Sequence, residues 1–270
     1  MQQQNSTLTF AYKDQHSVSY NKVGEGKPLL ILHGWGSSAQ VMMPIAKALA
    51  PFRSCYVLDL PGFGKSPEPP KAWAIADYLA LVIQFTKQVI GQEKVDLIAH
   101  SFGGRITLKW LADTENAPLL DKVLITGGAG LKPKRSLQFY AKKYLAKVLK
   151  TPLTWLPEPL QSKALKALRN TQLWQRLGSS DYRQLSGVMR ETFVKTVSEF
   201  LDPLLPKIQQ EVFLLWGETD AATPLDQAHR LEKGMKNATL VKIANAGHYA
   251  FIDQTAQFNA ITKAYLVGTD

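Results

Sequence analysis

Apolar runs too continuous for a sheet with one wet face recur along this chain: Leu29–Leu32, Cys55–Leu58, Val95–Ala99, Val123–Thr126, Val212–Leu215 and Thr239–Ile243. Such runs read as strands covered on both faces. Helical stretches stand among them, at Val41–Ala50, Ile75–Ile90, Arg105–Asp113, Leu225–Lys236 and Thr255–Val267. This alternation predicts an α/β architecture, a mostly parallel sheet with helices on both faces. Two shorter alternating runs, Leu8–Tyr12 and Val18–Asn21, come first and suggest an antiparallel hairpin, for an eight-stranded sheet.

The alternation stops after "VLITGGAG" and resumes at "EVFLLWG". Between them lie "RSLQFYAKKYLAKVLK", a break at Pro152, "LQSKALKALRNTQLWQRL" and "DYRQLSGVMRETFVKTV", all of helical character. The expected organisation is therefore a core of residues 1–130 and 208–270 with an inserted all-helical cap at 131–207. An insertion after a strand's C-terminal end lies over the edge where open α/β sheets place their sites.

Charge sharpens this division. The chain carries a formal net charge of +10, and residues 131–210 hold fifteen Lys and Arg against five Asp and Glu. The remainder is balanced, so the cap carries the whole excess. A solvated helical face is the plain explanation. A docking surface for an acidic partner, an anionic lipid surface or an anionic substrate is the sharper one. Nothing resembles a nucleic-acid-binding motif. The single cysteine, Cys55, excludes an internal disulfide and any multi-cysteine metal site, and "SCYVLDL" places it in a strand as a small buried hydrophobe. No run reaches the eighteen apolar residues of a membrane span, and the opening residues lack the basic-then-apolar pattern of a signal peptide. A cytoplasmic location is the expectation.

In "VDLIAHSFGGRITLKWLA", Val95–Ala112, a strand passes into a helix with almost no turn. A corner that tight requires small neighbours, and Ala99, Gly103 and Gly104 are small. Ser101 is then either the N-cap of the helix or an exposed nucleophile. A nucleophile needs a base, and the base needs an acid to orient it. Of five histidines, His16 lies in a polar turn, His33 in a loop that it orders, His100 inside the corner pointing away from Ser101, and His229 within a helix. His248, in the Gly-flanked loop "NAGHYAFID" after the last strand, emerges at the same sheet edge as Ser101. Asp220, in "LLWGETDAATP", stands at that edge too, with Glu218 as a competing carboxylate and helix capping as its alternative role.

Two nucleotide-binding patterns compete with this reading. "GFGKS" at Gly62–Ser66 has the tail of a phosphate-binding loop, but Asp59 occupies the place of the first glycine. "GWGSSA" at Gly34–Ala39 fits the looser dinucleotide fingerprint, and Asp59 ends the next strand 25 residues after Gly34. A nicotinamide- or flavin-dependent oxidoreductase is the rival from another class.

The order Ser101, Asp220, His248 is the order of the α/β-hydrolases. The chain resembles that superfamily in five strings standing in family order: "LLILHGWGSS", "DLPGFGKS", "AHSFGG", "WGETD" and "AGHYAFID". Ala99 departs from the usual first glycine of the elbow, where the family accepts another small residue. The resemblance implies a capped, esterase-like serine hydrolase needing no cofactor or metal, with Ser101 as nucleophile, His248 as base and Asp220 as acid. It also implies an oxyanion hole from the backbone N–H groups of Trp35 and Phe102, and a small-molecule acyl ester as substrate. A serine elbow argues against haloalkane dehalogenases and epoxide hydrolases. "HGWGSS" lacks the Pro-Gly pair usual in carbon–carbon bond hydrolases and the Gly-Gly-Pro loop of proline iminopeptidases. It is similar to the loop of carrier-protein methylesterases. Thioester, lactone and perhydrolase chemistry stay open, as does a ligand receptor that keeps the triad without turnover.

Overall fold

The computed structural model describes residues 4–9, 17–91, 94–134, 144, 148, 151–169, 171, 185 and 187–268. Its eight strands are β1 (Gln4–Thr9), β2 (Ser17–Val23), β3 (Pro28–Leu32), β4 (Ser54–Leu58), β5 (Val95–His100), β6 (Leu120–Thr126), β7 (Val212–Gly217) and β8 (Ala238–Ile243). They form one sheet in the order β1-β2-β4-β3-β5-β6-β7-β8. β2 runs antiparallel to both β1 and β4, and every other pairing is parallel. β3, β4 and β5 are buried along their whole length, as expected of largely apolar strands at the centre of a sheet, and they take Ser54, Asp96 and His100 with them.

The helices are α1 (Ala39–Leu49), α2 (Ile75–Phe85), α3 (Phe102–Leu111), α4 (Leu160–Arg169), α5 (Gly187–Ser198), α6 (Leu225–Gly234), α7 (Ala250–Asp253) and α8 (Thr255–Val267). Met42, Met43, Ile45 and Leu49 of α1 and Phe258 and Leu266 of α8 bury against Leu29, Ile31, Val57 and Ile98 on one face of the sheet. Tyr78, Val82, Ile106 and Trp110, from α2 and α3, are buried outside that cluster, as expected for the opposite face. At the N-terminal ends of the strands, fully buried Asp96 accepts from Lys27 Nζ at 2.7 Å and Arg53 Nε at 3.0 Å. Arg53 also reaches the Leu266 carbonyl, tying the last helix to the sheet.

Several limits differ from expectation. β1 begins earlier than the Leu8–Tyr12 run, on the polar "QNST", where its backbone pairs with β2 from Gln4↔Lys22 to Thr9↔Ser17. Tyr12 and His16 lie outside the described residues. α2 gives way at Thr86 to a π-helical turn, Thr86–Ile90, and α3 starts at Phe102, not Arg105.

By packing, the chain divides into residues 1–132 with 191–270, and 133–190. The larger unit takes in residues 191–207, which the sequence reading gave to the cap at 131–207. Long-range bonds explain the difference. Thr192 Oγ1 accepts from Trp73 N–H at 3.1 Å, and Arg105 donates to the Thr196 and Glu199 carbonyls at 2.9 and 2.8 Å. Leu201 N–H donates to the Gly130 carbonyl at 2.9 Å. Within the second unit, a 3-10 turn at Thr151–Trp155 precedes α4. Most of the first expected cap helix, with Lys142, Lys143 and Lys147, lies outside the described residues.

Candidate active site

Ser101 alone connects β5 to α3. Its φ of 50° and ψ of −105° fall outside the regions open to L-residues, a strain of about 1–3 kcal/mol. Its hydroxyl makes no helix-capping bond, so the capping alternative does not hold. The backbone enforces the corner: Ser101 N–H donates to the Thr126 carbonyl at 3.1 Å. The Ser101 carbonyl accepts from Gly104 and Ala129 N–H at 2.9 and 3.0 Å.

The loop after β3 presses against this corner. A Cβ on Gly103 would stand 2.8 Å from the Leu32 carbonyl oxygen, and Gly103 N–H donates to the His33 carbonyl at 3.1 Å. A Cβ on Gly34 would stand 3.1 Å from the Ser101 Cβ. At Gly103 any side chain would force the backbone to shift, and at Gly34 one would have to press its neighbours aside by a few tenths of an ångström. These approaches set Trp35, next to Gly34, beside Phe102, the first residue of α3; the two rings lie 5.2 Å apart, edge to face. Among the described residues, neither N–H meets a protein acceptor. His33 fixes the loop from inside: its Nε2 accepts from Leu60 N–H at 3.0 Å and its Nδ1 lies 2.7 Å from the Gly34 carbonyl. Complete burial lowers its pKa.

His248 and Asp220 come together at the end of the sheet, with His248 Nδ1 2.9 Å from Asp220 Oδ2. Asp220 Oδ1 accepts from Ala222 and Thr223 N–H at 2.9 and 2.8 Å, so the carboxylate also holds its own loop. Burial pushes the Asp220 carboxyl up. The bonds from His248 and Thr223 outweigh burial and hold it below the usual carboxylate range. Glu218, the competing acid, is exposed. His229 is exposed and pairs with Glu232 at 3.6 Å.

Two features were not anticipated. His100 does not simply turn away from the site: its ring packs 4.7 Å from that of His248. Burial and the neighbouring His248 lower its pKa to about 3. Around Trp35 stands an aromatic cluster, with Phe63 at 4.9 Å and Phe193 at 5.1 Å, while Tyr78 meets Phe102 at 5.1 Å. These residues are far apart in sequence, and only the fold assembles them.

The dinucleotide alternative loses its acid. Asp59 accepts from Ala39 N–H at 2.6 Å and Lys65 N–H at 3.0 Å, so it orders the turns around it and does not face a ribose. Among the described residues no group of three or more His, Cys, Asp or Glu is placed to hold a metal ion.

A family model described as the alpha/beta hydrolase fold matches residues 27–255. The pimeloyl-[acyl-carrier protein] methyl ester esterase of Chromobacterium violaceum is 27% identical over 245 residues, covering 87% of this chain and 92% of that protein. A 2-hydroxy-6-oxononadienedioate/2-hydroxy-6-oxononatrienedioate hydrolase of Paraburkholderia phymatum is 26% identical, covering 92% and 90%. Among solved structures, an esterase from Exiguobacterium antarcticum superposes with a TM-score of 0.71 at 19% identity, over 95% of this chain and 98% of that one.

Proposed function

Because this chain belongs to the alpha/beta-hydrolase fold family, we propose that it is a serine hydrolase that cleaves a carboxylic ester through Ser101. The observation that carries the reading is the 2.9 Å Asp220–His248 contact at the sheet edge where Ser101 stands in its strained turn. In this reading His248 takes the Ser101 proton as Oγ attacks the carbonyl carbon. Asp220 fixes the imidazole with Nδ1 protonated and stabilises the cation that forms. The oxyanion is received by the N–H groups of Trp35 and Phe102, and the latter opens α3, whose dipole favours negative charge. His248 returns its proton to the leaving alcohol. Water, activated by the same imidazole, then releases the acyl group.

A carrier-linked methyl ester is the second reading. It is favoured by the likeness to the carrier-protein methylesterase and by the basic cap expected at 131–207. Relatives that cleave dienedioate substrates mark carbon–carbon hydrolysis as the competing outcome.

The test is a fluorophosphonate probe together with chromogenic esters from acetate to palmitate. Labelling confined to Ser101, with turnover lost in Ser101→Ala and the fold intact, is expected. Labelling at another residue, or residual activity above about a thousandth of wild type, overturns the assignment. Acylation without steady release would identify a receptor instead.

A further inference from the structure

We propose that Thr223 is a positioning residue for His248, through a hydroxyl that changes its acceptor from Asp220 to Gly127 when His248 becomes charged. The proposal rests on the ester-hydrolase reading for its reaction and on separate geometry for its residue.

Thr223 is buried, and the sequence suggested nothing for it beyond a place before Pro224. Its Oγ1 lies 2.8 Å from Asp220 Oδ2, 3.0 Å from the Gly127 carbonyl oxygen and 3.3 Å from His248 Nδ1. A hydroxyl has one proton to give and two lone pairs. Here the proton has two acceptors within reach and the oxygen has one donor nearby. Asp220 Oδ1 is already held by two backbone N–H groups, so Oδ2 is the atom left to answer His248. While His248 is neutral, its Nδ1–H and the Thr223 hydroxyl share Oδ2.

Once His248 takes the Ser101 proton, its Nδ1–H becomes a charge-assisted donor with a stronger demand on Oδ2. A rotation about the Thr223 Cβ–Oγ1 bond then redirects the hydroxyl proton to the Gly127 carbonyl. That leaves Oδ2 to the imidazolium and turns a hydroxyl lone pair toward the same N–H. One hydrogen bond breaks and one forms, and no heavy atom moves. A valine would fill the same volume and could do neither.

The experiment measures the rate of fluorophosphonate labelling of Ser101, and kcat and KM for p-nitrophenyl acetate. The proteins are wild type, Thr223→Val and Thr223→Ser, each with and without Asp220→Asn. Thr223→Val is expected to slow labelling and kcat about tenfold, the scale of one hydrogen bond to a charged group, with KM little changed. Thr223→Ser should restore both. In the Asp220→Asn background, where a neutral amide replaces the carboxylate that the hydroxyl and the imidazolium share, the valine effect should fall below about twofold. Wild-type labelling rates in Thr223→Val, failure of the serine to restore them, or a full effect persisting beside Asp220→Asn would each overturn the proposal alone. Absence of labelling in the wild-type protein would overturn the serine-hydrolase reading as well. If the valine protein does not fold, Thr223→Ala is read by the same criteria.

Discussion

His100 fills a buried place beside His248 with a ring that resists protonation. Its Nδ1 lies 3.2 Å from the Thr126 carbonyl, while its buried Nε2 has no hydrogen-bond partner among the described residues. A second cation there would sit against the His248 ring, away from water, with Asp220 and His33 as the other titratable neighbours. Burial, then His248, lowers the His100 pKa from 6.5 to about 3. The sign of the linkage follows. Below pH 6.5 the unfolded chain binds a proton that the folded chain refuses until about pH 3, so this histidine costs stability as pH falls through that window. Between pH 7 and pH 5 the loss is about 2 kcal/mol. Urea unfolding at both pH values should show a loss of stability smaller by about 2 kcal/mol in His100→Gln than in wild type. Parallel slopes for the two proteins would mean that His100 accepts its proton in the folded state. The placement of Ser101, Asp220 and His248 at one edge was legible in the sequence because each follows the end of a strand of the parallel sheet. His100 and Thr223 were not: apart from the Thr223–Asp220 bond, their side-chain contacts join residues 25 to 148 apart in number, which no local pattern encodes.

At the scale of elements, the site depends on how closely α3 approaches the end of β3. Gly103 is buried, and its hydrogen bond to the His33 carbonyl couples the helix start to the Trp35 loop. Gly103→Ala would drive a methyl against the Leu32 carbonyl oxygen, 2.8 Å away, and must push α3 from the strand. In the ester-hydrolase reading this separates the two oxyanion donors, and displacements approaching 1 Å cost up to about a hundredfold in rate. The expected outcome is a kcat for p-nitrophenyl acetate at least about tenfold below wild type, with KM changed far less. An unaltered kcat in a folded variant would show that the close approach serves packing alone. The strands and their alternation were readable because a two-faced parallel sheet writes itself as apolar runs. Element limits were less so. Phe102-Gly103-Gly104 are poor helix formers by propensity, yet they open α3 because tertiary packing overrides propensity. Residues 191–207 read as cap for the same reason: Arg105, some ninety residues earlier, holds the end of α5, and no local signal announces it.

For the whole molecule, the separation of charge is the property that most needs a use. Residues 133–190 contain twelve Lys and Arg against two Asp and Glu, while the larger unit balances twenty against twenty. Chance would not be expected to leave one unit neutral and the other at +10. A strongly basic unit that served only solubility would leave catalysis indifferent to salt. One that gathers an acidic partner would raise the encounter rate, and that gain would shrink as screening shortens to about 8 Å at 0.15 M. We therefore expect kcat/KM for a methyl ester carried on an acidic carrier protein to fall at least about tenfold between 0.05 and 0.5 M salt. Turnover of p-nitrophenyl acetate, small and neutral, should change less than about twofold, because it depends on buried groups and not on steering. Charge reversal of Lys142, Lys143 and Lys147 to Glu should reproduce the loss at low salt with the carrier-linked ester alone. Equal losses with both substrates would indicate damage to the fold. Salt-independent turnover of the carrier-linked ester would return the twelve cations to the role of a solvated surface.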